Sequence, residues 1–144
     1  MLASRGHVVA GLRGDTLEII AQFRAGSAQS FGLRVRRSDD GARAVPILWR
    51  DGQIVVAKDT PKFPCPHPLD ATTREIVFRA WLDKGMLDVC LDDGRVFESR
   101  LHQSPLADLG VEVFATGGEA TLLSLEAWQL APAQINHDRL LTPE

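Results

Sequence analysis

Polar and apolar residues alternate along much of the chain with a period of two. Between Leu17 and Phe23, Leu17, Ile19 and Phe23 are apolar, whereas Glu18 and Gln22 are polar. Side chains point alternately to the two faces of a β-strand, so this pattern buries one face and exposes the other. The same alternation returns in residues 31–36, 75–82, 111–113 and 123–127. It predicts an all-β chain of about nine to eleven short strands.

Turn signals separate these apolar-rich segments. They are Asp40-Gly41, Asp51-Gly52, Asp93-Gly94 and Gly117-Gly118. Asp-Gly pairs favour tight hairpin turns, because both central residues of such turns need a positive φ. No stretch between strands is long and helically patterned enough for a crossover helix. The pattern therefore predicts antiparallel strands arranged as a sandwich or a barrel.

The length of 144 residues is typical of one domain. We expect a single domain over residues 1–144, with a core of about residues 8–130 and a trailing segment of residues 131–144. Residues 59–73 carry four prolines and no periodicity, which predicts a loop or an edge segment because proline cannot donate to a sheet.

Charge and hydropathy exclude several classes of function. The formal net charge is −3, which favours no nucleic-acid partner. The basic cluster Arg34–Arg37 alternates with apolar residues and predicts a solvated strand face. The start, residues 1–7, has no apolar segment of a secretory signal, and no apolar run reaches the length of a membrane span. We expect a soluble chain that is cytoplasmic if Met1 is the natural start, whereas a longer parent protein would also allow an extracellular location.

Candidate metal and redox chemistry is sparse. Cys65 and Cys90 do not make a disulfide framework, and the sequence leaves open whether they pair. The segment Cys65-Pro66-His67 offers two potential ligands without a partner pair, so plain surface is the better interpretation. No glycine-rich phosphate loop precedes a helix. The sequence therefore predicts no cofactor and no metal.

Carboxylates lie on several predicted strands, at Glu75, Asp88, Glu98, Glu112 and Glu126. A retaining glycosidase needs two carboxyl groups about 5–5.5 Å apart, one of them with a raised pKa. Such residues are far more often the solvated face of a sheet. We assign no catalytic residue.

Several segments, in order, resemble the C-terminal β-sandwich of glycoside hydrolase family 32, the family of levanases, inulinases and invertases. The opening strand pair, residues 14–19 and 30–36, is similar to the entry of that domain. Residues 81–94 are similar to a later strand-and-turn stretch of that domain, and residues 110–121 with 125–130 are similar to its closing hairpin. The resemblance covers roughly residues 11–130 and implies an antiparallel two-sheet β-sandwich of the concanavalin-like or jelly-roll type.

The family performs its chemistry on a separate N-terminal propeller, with acids in Asn-Asp-Pro, Arg-Asp-Pro and Glu-Cys motifs. This chain has none of these motifs. Its one Arg-Asp pair near a candidate motif, Arg50-Asp51, is followed by Gly52 instead of proline. The resemblance therefore implies a non-catalytic accessory module that stabilises or oligomerises a catalytic β-propeller domain. The alternative is a free-standing, lectin-like carbohydrate-binding module.

Sugar rings present C–H faces that pack on aromatic planes, and their hydroxyls hydrogen-bond to polar side chains. Trp81 falls on the polar side of its strand beside Arg79, and Trp49 lies near a predicted hairpin. Ordinary packing is the more common role for each tryptophan. The candidate carbohydrate-binding residues are Trp81, Trp49, Asp83, Asp88 and Arg79, with fructan or another polysaccharide as the ligand.

Overall fold

A computed structural model of the chain describes residues 2–3, 6–50, 53–56, 63–64, 75–91 and 96–130. The described part contains twelve strands. They are β1 (Leu2–Ala3), β2 (Gly6–Arg13), β3 (Thr16–Ala25), β4 (Ser30–Arg37), β5 (Val45–Arg50), β6 (Gln53–Val56), β7 (Phe63–Pro64), β8 (Glu75–Asp83), β9 (Met86–Leu91), β10 (Val96–Leu101), β11 (Gly110–Thr116) and β12 (Glu119–Gln129). Within the described ranges, no helix is long and apolar enough to cross a membrane.

The strands form two six-stranded sheets with antiparallel neighbours, which confirms the predicted β-sandwich. The first sheet, here sheet A, has the order β1-β12-β3-β8-β9-β10. The second, sheet B, has the order β2-β11-β4-β5-β6-β7. Strand β7 takes part of the proline-rich segment to the edge of sheet B, where proline is tolerated. The rest of that segment, and residues 131–144, lie outside the described residues.

The core lies between the inner faces of the two sheets. Strand β3 contributes a row from Leu17 to Phe23 in which alternate side chains are fully buried, as the period of two predicts. The rings of Phe23 in sheet A and Phe31 in sheet B are 5.4 Å apart between centroids. Phe78 on β8 packs edge-on against Phe23, with a centroid distance of 5.4 Å. These three rings join the sheets at the centre of the domain.

The predicted strand pairings need two corrections. The opening pair is not a pair, because β3 belongs to sheet A and β4 to sheet B. The closing hairpin is not a hairpin either, because β11 lies in sheet B and β12 in sheet A. Gly117 and Gly118, with φ of 68° and 143°, form a crossing between the sheets. Ser27 lies in a second crossing between the sheets, the connection from β3 to β4. A Cβ atom on Gly118 would lie 2.5 Å from the carbonyl oxygen of Ser27, so glycine at this position lets the two connections pass close to each other.

Hairpins do connect other neighbouring strands. Asp40 and Gly41 lie in the longer connection between β4 and β5. The tight turn is at Lys84-Gly85, where Asp83 pairs with Met86 and Lys84 has a φ of 51°. The pairs Asp51-Gly52 and Asp93-Gly94 lie outside the described residues.

The expectation of a solvated basic face at Arg34–Arg37 is wrong. Glu112 on β11 forms ion pairs with both Arg34 and Arg37, and the Arg37 contact is 2.8 Å. The Arg34 guanidinium also lies 3.7 Å from the centroid of the Phe114 ring. The alternation along β4 does not reveal that β11, which is far away in the sequence but is its neighbour in the sheet, brings an acid to these arginines.

Arg36 is buried, with 3% of its surface exposed. Its guanidinium donates hydrogen bonds to the backbone oxygens of Asp108 at 2.6 Å, Pro105 at 2.9 Å and Lys84 at 3.0 Å. A contact of 3.5 Å reaches the oxygen of Ser104. Arg36 is on β4 of sheet B, and Lys84 is in the β8–β9 turn of sheet A. One side chain therefore links the two sheets and the segment before β11.

Candidate functional site

The outer face of sheet A carries most of the residues predicted to bind carbohydrate. On β8, Phe78, Ala80 and Leu82 are buried in the core, so Arg79 and Trp81 point to the other face. Arg79 is exposed and Trp81 is half-buried. This orientation follows directly from the strand period and agrees with the position predicted for both residues.

Strand pairing brings four side chains into one row across this face. Trp128 on β12 pairs with Glu18 on β3, and Glu18 pairs with Trp81 on β8. Trp81 then pairs with Asp88 on β9. We call Trp128, Glu18, Trp81 and Asp88 the tryptophan row. Adjacent strands lie about 4.8 Å apart, so the two tryptophan positions are about 10 Å apart with a carboxylate between them.

Arg79 supports the centre of the tryptophan row. Its guanidinium lies 4.9 Å from the centroid of the Trp81 ring, within the range of a cation–π contact. It also contacts the Glu18 carboxylate at 3.3 Å, and the Glu18 side chain is only 17% exposed. Trp128 remains 46% exposed, which is large for this residue type. The exposed indole of Trp128 thus lies beside a carboxylate, Glu18, that is held in place by the guanidinium of Arg79.

The other predicted residues divide between this face and the core. Asp88 joins the tryptophan row next to Trp81. Asp83 is exposed at the end of β8, two residues after Trp81 and on the same face of the sheet. Trp49 is not brought together with them, because it packs against the core from sheet B and stacks on Phe31 at 5.4 Å. Ordinary packing describes its position.

Trp128 is absent from the sequence-predicted site. Its strand pairs with β3, which lies more than a hundred residues earlier in the chain, and this pairing is not visible in local alternation. The available signal was parity, because Trp128 alternates with Leu125 and Ala127, which pack against the core. That parity places Trp128 on the outer face but gives no indication of its neighbours.

A shallow groove of about 380 Å³ lies on the outer face of sheet B. Ser30, Arg34, Leu48 and Thr116 contribute to its lining. Its aromatic ring, Phe114, is 1% exposed and is covered by Arg34. The groove therefore offers no free aromatic plane, in contrast to the tryptophan row.

Two of the carboxylates predicted on strands, Glu75 and Glu112, are engaged in structural contacts. Glu112 pairs with two arginines, and Glu75 contacts Arg24 at 3.0 Å and Gln22 at 3.1 Å. The side chain of Glu98 lies outside the described residues.

Among the residues that the structure describes, Asp40 and Asp108 have a pKa that departs from the ordinary value. A hydrogen bond from Ser38 lowers the pKa of Asp40, and hydrogen bonds from Arg43 lower the pKa of Asp108. A general acid requires the opposite shift. Neither group is therefore suited to protonate a leaving group.

Metal ligands do not converge in the part of the chain that the structure describes. No group of three or more His, Cys, Asp or Glu side chains there could hold an ion. Cys90 is free, whereas Cys65 and His67 lie outside the described residues.

Comparisons with known proteins bear on the family and the fold. A family model described as "Glycosyl hydrolases family 32 C terminal" matches residues 2–129. A levanase of Bacillus subtilis (strain 168) is 26% identical over 148 residues, covering 90% of this chain and 22% of the levanase. The chain thus spans about a fifth of the length of that relative.

Solved structures share the fold at low sequence identity. Fructan 1-exohydrolase IIa from Cichorium intybus has a TM-score of 0.71 at 14% identity, over 90% of this chain and 34% of the enzyme. Exo-inulinase from Aspergillus awamori has a TM-score of 0.69 at 16% identity, over 90% and 28%. Sheep galectin-11, solved with glycerol, has a TM-score of 0.60 at 10% identity, over 89% and 99%. With the family match over nearly its whole length, the chain belongs to the C-terminal domain family of glycosyl hydrolases family 32, which is not the catalytic domain of those enzymes.

Proposed function

We propose that this chain is a non-catalytic accessory module of a family 32 glycosyl hydrolase. It stabilises a catalytic propeller domain or holds such domains together as an oligomer. The observation that carries the proposal is the family match over residues 2–129, which assigns nearly all of the chain to the C-terminal domain. Glu112 and Glu75 are held in ion pairs with arginines of neighbouring strands, which is a structural use of these carboxylates and supports the non-catalytic part of the proposal.

A fructose-release assay tests the non-catalytic part. The purified chain is incubated with sucrose, inulin and levan, and a heat-denatured sample serves as the control. We expect no release above the control. Release that increases with the amount of folded chain would contradict the proposal.

An association measurement tests the accessory part. The chain is mixed with the family 32 catalytic domain from the same source, and the mass of the mixture is measured by sedimentation. We expect a complex, and we expect the catalytic domain to unfold at a higher temperature within it, because binding to the native state stabilises it. Two independent species with unchanged unfolding temperatures would contradict this role.

The second candidate function is carbohydrate binding on the outer face of sheet A. The exposed Trp128 beside Glu18, Trp81 and Arg79 favours it, because an aromatic plane flanked by charged hydrogen-bonding groups matches the surface of a sugar. Asp88 and Asp83 complete the set of polar groups at this end of the sheet. Fructans are the first ligands to test, since the relatives include a levanase and an exo-inulinase.

A further inference from the structure

We propose that the tryptophan row binds one polysaccharide chain that crosses the strands of sheet A and contacts Trp128 and Trp81 together. This inference rests on the second candidate function and assigns it a direction and a minimum ligand length. Trp128, Glu18 and Trp81 are consecutive cross-strand partners, so they lie on a line perpendicular to the strands. A ligand that uses both indoles must follow that line.

The spacing of the tryptophan row sets the ligand length. The two indoles originate two strand spacings apart, about 10 Å. A single sugar ring at either tryptophan cannot reach the other. Affinity should therefore increase with the number of linked sugars until both indoles are covered and then level off, apart from the statistical gain of a longer chain.

The centre of the tryptophan row is arranged for hydroxyl groups. The Glu18 carboxylate only accepts hydrogen bonds, and the Arg79 guanidinium only donates them. Together they can bind both the hydrogen and the oxygen of a sugar hydroxyl group. Their mutual contact of 3.3 Å and the position of Arg79 near the Trp81 ring hold both groups before any ligand arrives. Groups that are already ordered lose less conformational entropy on binding.

The surroundings of the tryptophan row favour a sugar over a protein domain. The outer positions next to it carry the polar or charged residues Thr16, Asp83 and Glu126, together with the apolar residues Ile20, Met86 and Leu130. The centres of protein interfaces are depleted in Glu and Asp, because these charges lose their hydration without full compensation. A hydroxyl-rich, hydrated ligand leaves such charges in contact with water. The acidic groups beside the two indoles therefore fit a polysaccharide better than the centre of a docked domain interface.

The test is a calorimetric titration of the full chain with inulin-derived oligosaccharides of increasing length, and with levan. We expect saturable heat that appears only above the shortest members of the series. Trp128→Ala and Trp81→Ala should each weaken binding of the long members by about tenfold, which corresponds to about 1.4 kcal/mol. Leu123→Ala is the matched control, because Leu123 is exposed on the same strand but outside the row. Trp128 is 46% exposed, so its substitution leaves the core intact.

Several outcomes would overturn the inference. Absence of binding to every probe would do so, as would unchanged affinity in both tryptophan variants. Equal affinity for short and long members would show contact at one tryptophan only. If the tryptophan variants instead lose association with the catalytic domain and keep sugar binding, the row is a docking surface. Fructose release by the unmodified chain would contradict the accessory function without bearing on the direction of binding.

Discussion

Replacement of Arg36 by methionine removes the guanidinium that links the two sheets. Methionine keeps an unbranched apolar stem of similar length, and it places a side chain on the same backbone, with its φ of 48°. The substitution therefore changes the polar head group and leaves the backbone strain as it is. The carbonyl oxygens of Asp108, Pro105 and Lys84 lose their donors at 2.6, 2.9 and 3.0 Å.

The expected loss of stability is about 3 kcal/mol. A hydrogen bond to a charged group contributes about 1.5–3 kcal/mol, but burial of the guanidinium itself is unfavourable and offsets part of the sum. A net value of about 1 kcal/mol for each of the three short bonds is a reasonable balance. For a domain of this size, the melting temperature should fall by about 10 °C.

Urea unfolding followed by tryptophan fluorescence measures this loss as a lower midpoint at an unchanged m value. Arg24→Met is the matched control. The ion pair of Arg24 with Glu75 has side chains 56% and 45% exposed, and such pairs contribute about 0.5 kcal/mol. Equal midpoints for Arg36→Met and Arg24→Met would refute the structural role of Arg36.

Two further predictions concern the backbone of β4 and the dependence of stability on pH. A methyl group at Gly32 would overlap the carbonyl oxygen of Ile47, so Gly32→Ala should lower the free energy of unfolding by about 3 kcal/mol in thermal melts. Gly11→Ala, where a Cβ meets nothing within 4 Å, should cost only about 1 kcal/mol for its positive φ, and equal losses would contradict this account. Hydrogen bonds from Arg43 lower the pKa of Asp108, so this carboxyl stabilises the fold above the ordinary Asp pKa of about 3.9, and the contribution is lost as the pH falls. Asp108→Asn should therefore flatten the decline in stability below about pH 4, and an unchanged acid limb of the pH profile would disprove the assignment.

The resemblance to family 32, which rested on several segments in their order along the chain, is confirmed, and so is the fold class. The fold class could be read from the sequence because strand alternation and turn residues are local features, whereas the family was indicated by the resemblance of several segments in their order along the chain. The assignment of Trp81 and Arg79 to an outer face needed only the parity of one strand. By contrast, the roles of Arg36 and Glu112 depend on partners about seventy residues away, so a solvated face was the natural but incorrect expectation.

The sequence by itself determined that the chain is all-β, which side of β3 and of β8 is apolar, and which family the chain resembles. Only the tertiary structure decided which strands are neighbours, because backbone hydrogen bonds between strands carry no side-chain signature. That decision turned the apparent closing hairpin at Gly117 into a crossing between sheets. It also placed Trp128 two strands from Trp81, with Glu18 between them. The tryptophan row exists only because β12, β3 and β8 meet in one register.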